Sequence, residues 1–139
     1  MELKDIITRE VVTTSPDAPL MEAARVMSRK SISSILVLEA EKAVGIISER
    51  DFLRIYLEGK DRTATKVGEV MSSPVITADI STSLDDILKL MRDKGIRRLA
   101  ITEAGKLAGI ITETDLIKAM KNLHTEHQQL ARTIKFSTR

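Results

Sequence analysis

The hydrophobic positions of this chain keep changing period, and each change predicts an element. "VVT", at residues 11–13, is a short β-rich run. Pro19 suits a first helical turn, and Leu20, Ala23, Ala24 and Met27 then follow on one helical face. Two apolar runs come next, "SILVLE" at 34–39 and "AVGIIS" at 43–48, and the few residues between them predict a hairpin. A helix over residues 50–57 closes the series, which a short apolar segment at Ile6–Ile7 precedes.

The same series is then written again. Sliding the sequence by 64 positions aligns residues 3–57 with 67–121 without a gap. Val11 meets Val75, Leu20 meets Leu84, Met27 meets Met91 and Ile32 meets Ile96. The second copy has "VIT", a helical face of Leu84, Ile87, Leu88 and Met91, and the strands "LAITE" and "LAGIIT" with Gly105 in their turn. A helix over 114–122 ends it, Val70–Met71 precede it, and the polar stretch 58–66 links the copies. A period of this length marks a supersecondary unit rather than a solenoid repeat. One unit would be marginal alone, so two equal apolar faces are expected to pack together with pseudo-twofold symmetry. The expected fold class is α/β (α+β), built from tandem β-α-β-β-α repeats. Residues 122–139 read as a basic extension, helical in part, with Leu116, Met120, Leu123, His127, Leu130 and Ile134 near helical spacing.

Each repeat ends its second long strand in nearly the same words, "GIISERD" at 45–51 and "GIITETD" at 109–115. A hydroxyl, Ser48 or Thr112, is followed three residues later by an aspartate, Asp51 or Asp115. That pattern starts helices, with the hydroxyl at the N-cap and the acid three positions on. One copy says no more than that. Two copies in a twofold arrangement place the same groups across a shared cleft. A cap worth about 1 kcal/mol can also position its aspartate for a ligand. The two roles are compatible.

Composition removes several alternatives. The chain of 139 residues is one domain in size and has no cysteine, which excludes disulfides, thiol catalysis and zinc–thiolate sites. Its charged start lacks a signal-type apolar block, and its apolar runs are too short to span a bilayer. A cytoplasmic protein without a membrane partner is expected. The net charge of +2 sits in the tail, where Lys121, Arg132, Lys135 and Arg139 face only Glu126. Nucleic-acid binders usually carry a basic face with aromatics for stacking, and here Phe52, Tyr56 and Phe136 are the only aromatics. Nucleic acid is therefore disfavoured as a partner; a nucleic-acid-binding protein that uses the basic tail, with or without gating by nucleotide, is the alternative function. His124 and His127 share a helical face but lack the further ligands a metal needs. No nucleophile–histidine–acid set, P-loop or GxGxxG is present, so no catalytic residues are expected.

The duplicated pattern, with its two closing motifs, resembles the cystathionine-β-synthase (CBS) domain pair, or Bateman module, over roughly residues 3–121. The half from Met71 to Leu116 is especially similar to the family pattern. The family usually has a proline inside the second strand, where this chain has Leu36 and Ala100. The resemblance implies a non-catalytic regulatory module that binds AMP, ADP or ATP, and in some members S-adenosylmethionine or NAD. It also implies a homodimer formed through helices and a regulated protein that the sequence does not identify. In the family the motif aspartate takes the ribose hydroxyls, the motif hydroxyl contacts ribose or phosphate, and apolar residues hold adenine. Carried over, the first site comprises Ser48 and Asp51 with Ile7, Val12, Ile32 and Ile47 as adenine walls. The second comprises Thr112 and Asp115 with Met71, Ile76, Ile96 and Ile111. Arg97 and Arg98 would reach phosphate in the first site, while Ser33 and Ser34 would be their uncharged counterparts in the second.

The residue chemistry agrees with that implication. An ionised aspartate only accepts hydrogen bonds, on two oxygens, and so matches a vicinal diol that donates twice. The helix start behind each hydroxyl offers unpaired N–H groups and a positive dipole end to phosphate. Arg97 and Arg98 bring a guanidinium geometry suited to phosphate. The first site is therefore expected to favour phosphorylated ligands.

Overall fold

The computed structural model describes residues 1–137, with the side chains of residues 126, 127 and 129–137 left outside the description. Glu126, His127, Leu130, Arg132, Ile134 and Lys135 are among those side chains, and Arg139 lies beyond the described residues. The first repeat comprises α1 (Leu3–Ile6), β1 (Thr13–Thr14), α2 (Leu20–Lys30), β2 (Ser34–Glu39), β3 (Lys42–Ser48) and α3 (Glu49–Glu58). In the second, a 3-10 turn at Val67–Glu69 replaces α1, followed by β4 (Thr77–Asp79), α4 (Leu84–Lys94), β5 (Arg98–Glu103), β6 (Lys106–Thr112) and α5 (Glu113–Ser137). The fold is mixed α/β in two repeats. The helix expected over 114–122 and the extension after it form one continuous helix of 25 residues.

Each repeat builds a three-stranded sheet, ordered β1-β2-β3 and β4-β5-β6. The first strand pairs parallel with the second, and the second antiparallel with the third. The connections follow from chemistry already in the sequence. Helices α2, α3 and α4 stop where Ser31, Gly59 and Gly95 turn left-handed, a conformation glycine adopts without steric cost. The hairpins turn through Ala40–Glu41 and Ala104–Gly105, all at positive φ, as two-residue turns between twisted strands require.

The repeats exchange their leading segments. Leu3, Ile6 and Ile7 pack with Ile87, Leu99, Ile111 and Leu116, in the core of the second repeat. Val67, Val70 and Met71 pack with Leu20, Ile35, Ile47 and Ile55, in the core of the first. Backbone bridges complete the exchange, Thr8 pairing antiparallel with Ile110 and Ser72 with Ile46. Leu3 and Val67 are almost wholly buried, and burying such a side chain stabilises by about 1.5–3 kcal/mol. Neither half-core is complete without the other half of the chain.

Candidate functional site

Along β3 and β6 successive side chains point to opposite faces, so the two isoleucines of each "GII" separate. Ile47 and Ile111 are fully buried beneath the helices, in the two cores. Ile46 and Ile110 face the other way, into a cavity of about 320 Å³. That cavity is lined by equivalent residues of both repeats: Val12 and Ile76, Ile32 and Ile96, Leu36 and Ala100, Ile46 and Ile110. Its size is at the lower end of the roughly 300–1,000 Å³ typical of small-molecule pockets.

The cavity departs from symmetry at its polar positions. Ser34 of the first repeat corresponds to Arg98 of the second, and Glu10 corresponds to Pro74; all four line the cavity. The apolar walls suit the faces of a flat base, and Arg98 supplies a cation within reach of whatever the walls hold. Leu36 and Ala100, which line the cavity, occupy the strand positions where the family usually has proline.

The motif aspartates stand at the starts of α3 and α5, just beyond the ends of the cavity-lining strands. Asp51 is 6% exposed. Its Oδ2 accepts from the Ser48 backbone N–H at 2.8 Å and the Ser48 hydroxyl at 3.1 Å. Its Oδ1 accepts from Arg54 Nη2 at 3.2 Å and the Ser72 hydroxyl at 3.5 Å. Asp115 is only half-buried. Its Oδ2 accepts a long bond of 3.4 Å from the Thr112 N–H, while the Thr112 hydroxyl accepts the Asp115 N–H at 3.1 Å. Both motifs form capping boxes, and at the first the Ser48 hydroxyl also lies against the carboxylate.

Of the residues expected at the site, Val12, Ile32, Ile76, Ile96, Ser34 and Arg98 line the cavity. The structure places the other expected residues elsewhere. Ile47 and Ile111 are core residues, and their places are taken by Ile46 and Ile110 because strand side chains alternate. Ile7 and Met71 have changed partners: segment exchange puts Ile7 with the Asp115 repeat and Met71 with the Asp51 repeat. Ser33 and Arg97 are exposed, and their carbonyls accept the Glu49 and Glu113 N–H groups at 3.0 and 2.8 Å. Arg97 is therefore anchored at the start of α5, on the Asp115 side.

Arg54, Ser72 and Thr8 escaped the sequence reading. The signal for the exchange is the glycine of each "GII", since a glycine inside a strand marks a close approach of another segment. A β carbon on Gly45 would collide with Met71, and one on Gly109 with Thr8.

Comparison with known proteins bears on this arrangement. The CBS domain profile matches residues 3–58 and 67–122. The CBS domain-containing protein YhcV of Bacillus subtilis is 36% identical over 122 residues, 86% of this chain and 86% of YhcV. The protein MK0525 of Methanopyrus kandleri is 37% identical over 117 residues, 82% of this chain but 60% of its own length. Among solved structures, the CBS domain NE2398 superposes with a TM-score of 0.75 at 32% identity, over 86% of this chain and 97% of that one. Arabidopsis thaliana CBSX2 in complex with AMP gives 0.76 at 22% identity, over 88% of this chain and 98% of that one, a likeness of fold alone.

Proposed function

This chain belongs to the CBS-domain family, and on that premise we propose that it senses an adenine nucleotide of the AMP, ADP or ATP type and passes the signal to a protein partner. CBS pairs are regulatory modules, and this chain acts without catalysing a reaction. The observation that carries the reading is the cavity between the two sheets. Val12, Ile32, Ile46 and their counterparts cover the faces of adenine, strand-end backbone offers hydrogen bonds to its edge, and a motif aspartate receives the ribose diol. Arg98 takes phosphate. The same fold holds AMP in CBSX2. S-adenosylmethionine and NAD share the adenosine half and would compete for the same walls.

Ligand acts here by binding one arrangement of the repeats, or one assembly, more tightly than another. The assembly is a homodimer. Leu53, Tyr56 and Leu57 lie 60%, 68% and 76% exposed along α3, and Ile117 of α5 is 42% exposed at the position equivalent to Leu53. Cytoplasmic nucleotide pools supply the ligand.

Calorimetry with AMP and 2′-deoxy-AMP tests the reading. A charged hydrogen bond contributes about 1.5–3 kcal/mol, so the deoxynucleotide should bind roughly tenfold more weakly or worse. Equal affinities would remove the ribose clamp, and no affinity for any adenosine compound would remove the sensor.

A further inference from the structure

The geometry points to a single nucleotide site per chain, at Asp115, because Arg54 holds the carboxylate of Asp51 closed. This inference rests on the adenosine reading and assigns its stoichiometry. An ionised carboxylate offers about four lone-pair sites. At Asp51 all of them face donors: the Ser48 N–H, the Ser48 hydroxyl, Arg54 and the Ser72 hydroxyl. A ribose diol would have to displace those partners from a carboxylate that water scarcely reaches. One of them is a guanidinium, whose charge-assisted bond is about twice as strong as a neutral one.

Arg54 is held by more than Asp51. The same Nη2 donates to the Val70 carbonyl at 3.1 Å, tying α3 of the first repeat to the exchanged segment of the second. Opening the Asp51 site would therefore loosen the exchange as well as break an ion pair. Among the described residues nothing equivalent guards Asp115. Lys118 stands at the position corresponding to Arg54, and among the described residues it makes no ion pair with Asp115. Thr8 replaces Ser72, and the Thr112 hydroxyl is turned to its cap rather than to the carboxylate.

The two motifs therefore share a sequence pattern and differ in availability. Arg97 is anchored beside the open motif, and Arg98 lies in the adjoining cavity. The open motif also begins α5, the 25-residue helix that runs out of the pair, so the bound nucleotide touches the element best placed to carry a signal.

Native mass spectrometry and calorimetry of the full chain with AMP decide the matter. The expected result is one AMP per chain, with affinity lowered about tenfold or more by Asp115→Asn. Arg54→Ala should raise the count to two while leaving the first affinity unchanged; Arg54→Met, which keeps the aliphatic stem, serves if the alanine variant melts early. Two AMP per wild-type chain, an unaffected Asp115→Asn, or folded Arg54 variants that still bind one AMP would overturn the latch and leave the sensor reading standing. A wild-type chain that binds no AMP would overturn both.

Discussion

Thr8 crosses Gly109 so closely that a β carbon on the glycine would lie 2.5 Å from the Thr8 carbonyl oxygen. Thr8 also exchanges two backbone hydrogen bonds with Ile110, both 2.9 Å long. The crossing can neither slide nor lift without losing them. Gly109→Ala should therefore destabilise the fold by about 1–3 kcal/mol, the usual cost of overpacking. At the equivalent Gly45 the obstacle is the Met71 side chain, which has rotamers to escape into. Gly45→Ala should cost less. Urea denaturation of the two variants checks the order, and a reversal would show that the exchanged segments are held by something other than this close approach.

Arg98 should separate nucleotide from nucleoside. It lines the cavity where Ser34 stands in the other repeat. Arg98→Ala removes a cation that phosphate feels and adenosine does not. AMP affinity should fall by about 1.5–3 kcal/mol while adenosine affinity changes little. An AMP titration unmoved by the substitution would make Arg98 a strand-end charge with no part in binding.

The repeat, its element order and the two motifs were legible because each depends on local spacing. Helical faces such as Leu20, Ala23 and Met27 recur with the period of the helix, and all three are buried. The cavity walls were half legible. Val12, Ile32, Ile76 and Ile96 line it as expected, yet Ile46 and Ile110 stand there in place of Ile47 and Ile111. Strict alternation says only that neighbours face opposite ways; which one faces the helices depends on register against β2 and β5. The exchange of Ile7 and Met71 was hidden for a different reason. A duplicated sequence is equally consistent with each leading segment staying home or crossing over, and only packing decides. The Arg54 contacts followed the exchange out of sight, because Val70 reaches Arg54, and Ser72 reaches Asp51, only after crossing.

The exposed apolar face of α3 is the surface on which the proposed homodimer would depend. Leu53, Tyr56 and Leu57 lie at helical spacing on one side, and a patch of this kind marks an association surface. Leu53→Glu with Leu57→Lys should shift sedimentation from dimer to monomer at micromolar concentration while leaving the melting temperature of the pair nearly unchanged. A wild-type chain that sediments as a monomer under those conditions would end the dimer proposal.

One contact between the repeats should report on pH. Lys106 Nζ lies 2.9 Å from Glu41 Oε2, and the Leu107 N–H donates to the Glu41 carbonyl at 3.0 Å, joining the two hairpin turns. The bridge is not repeated by symmetry, because Gly105 stands at the position equivalent to Glu41. The Lys106 hydrogen bond, then its charge, holds the Glu41 carboxyl below its ordinary 4.5. The same pair raises Lys106 above its ordinary 10.5. A lowered acid stabilises above its unfolded pKa and loses that contribution as pH falls through the folded one; a raised base does so below its unfolded pKa and loses it as pH rises through the folded one. The bridge is therefore whole between those two ordinary values and fails on either side. Both groups are exposed, so the effect is small and screened by salt. Wild-type and Glu41→Gln chains should differ in melting temperature at about pH 7 in low salt and converge at about pH 3 or in molar salt. A difference that stays constant down to about pH 3 would show that glutamine changed the strained turn, where Glu41 has φ 67, rather than the ion pair.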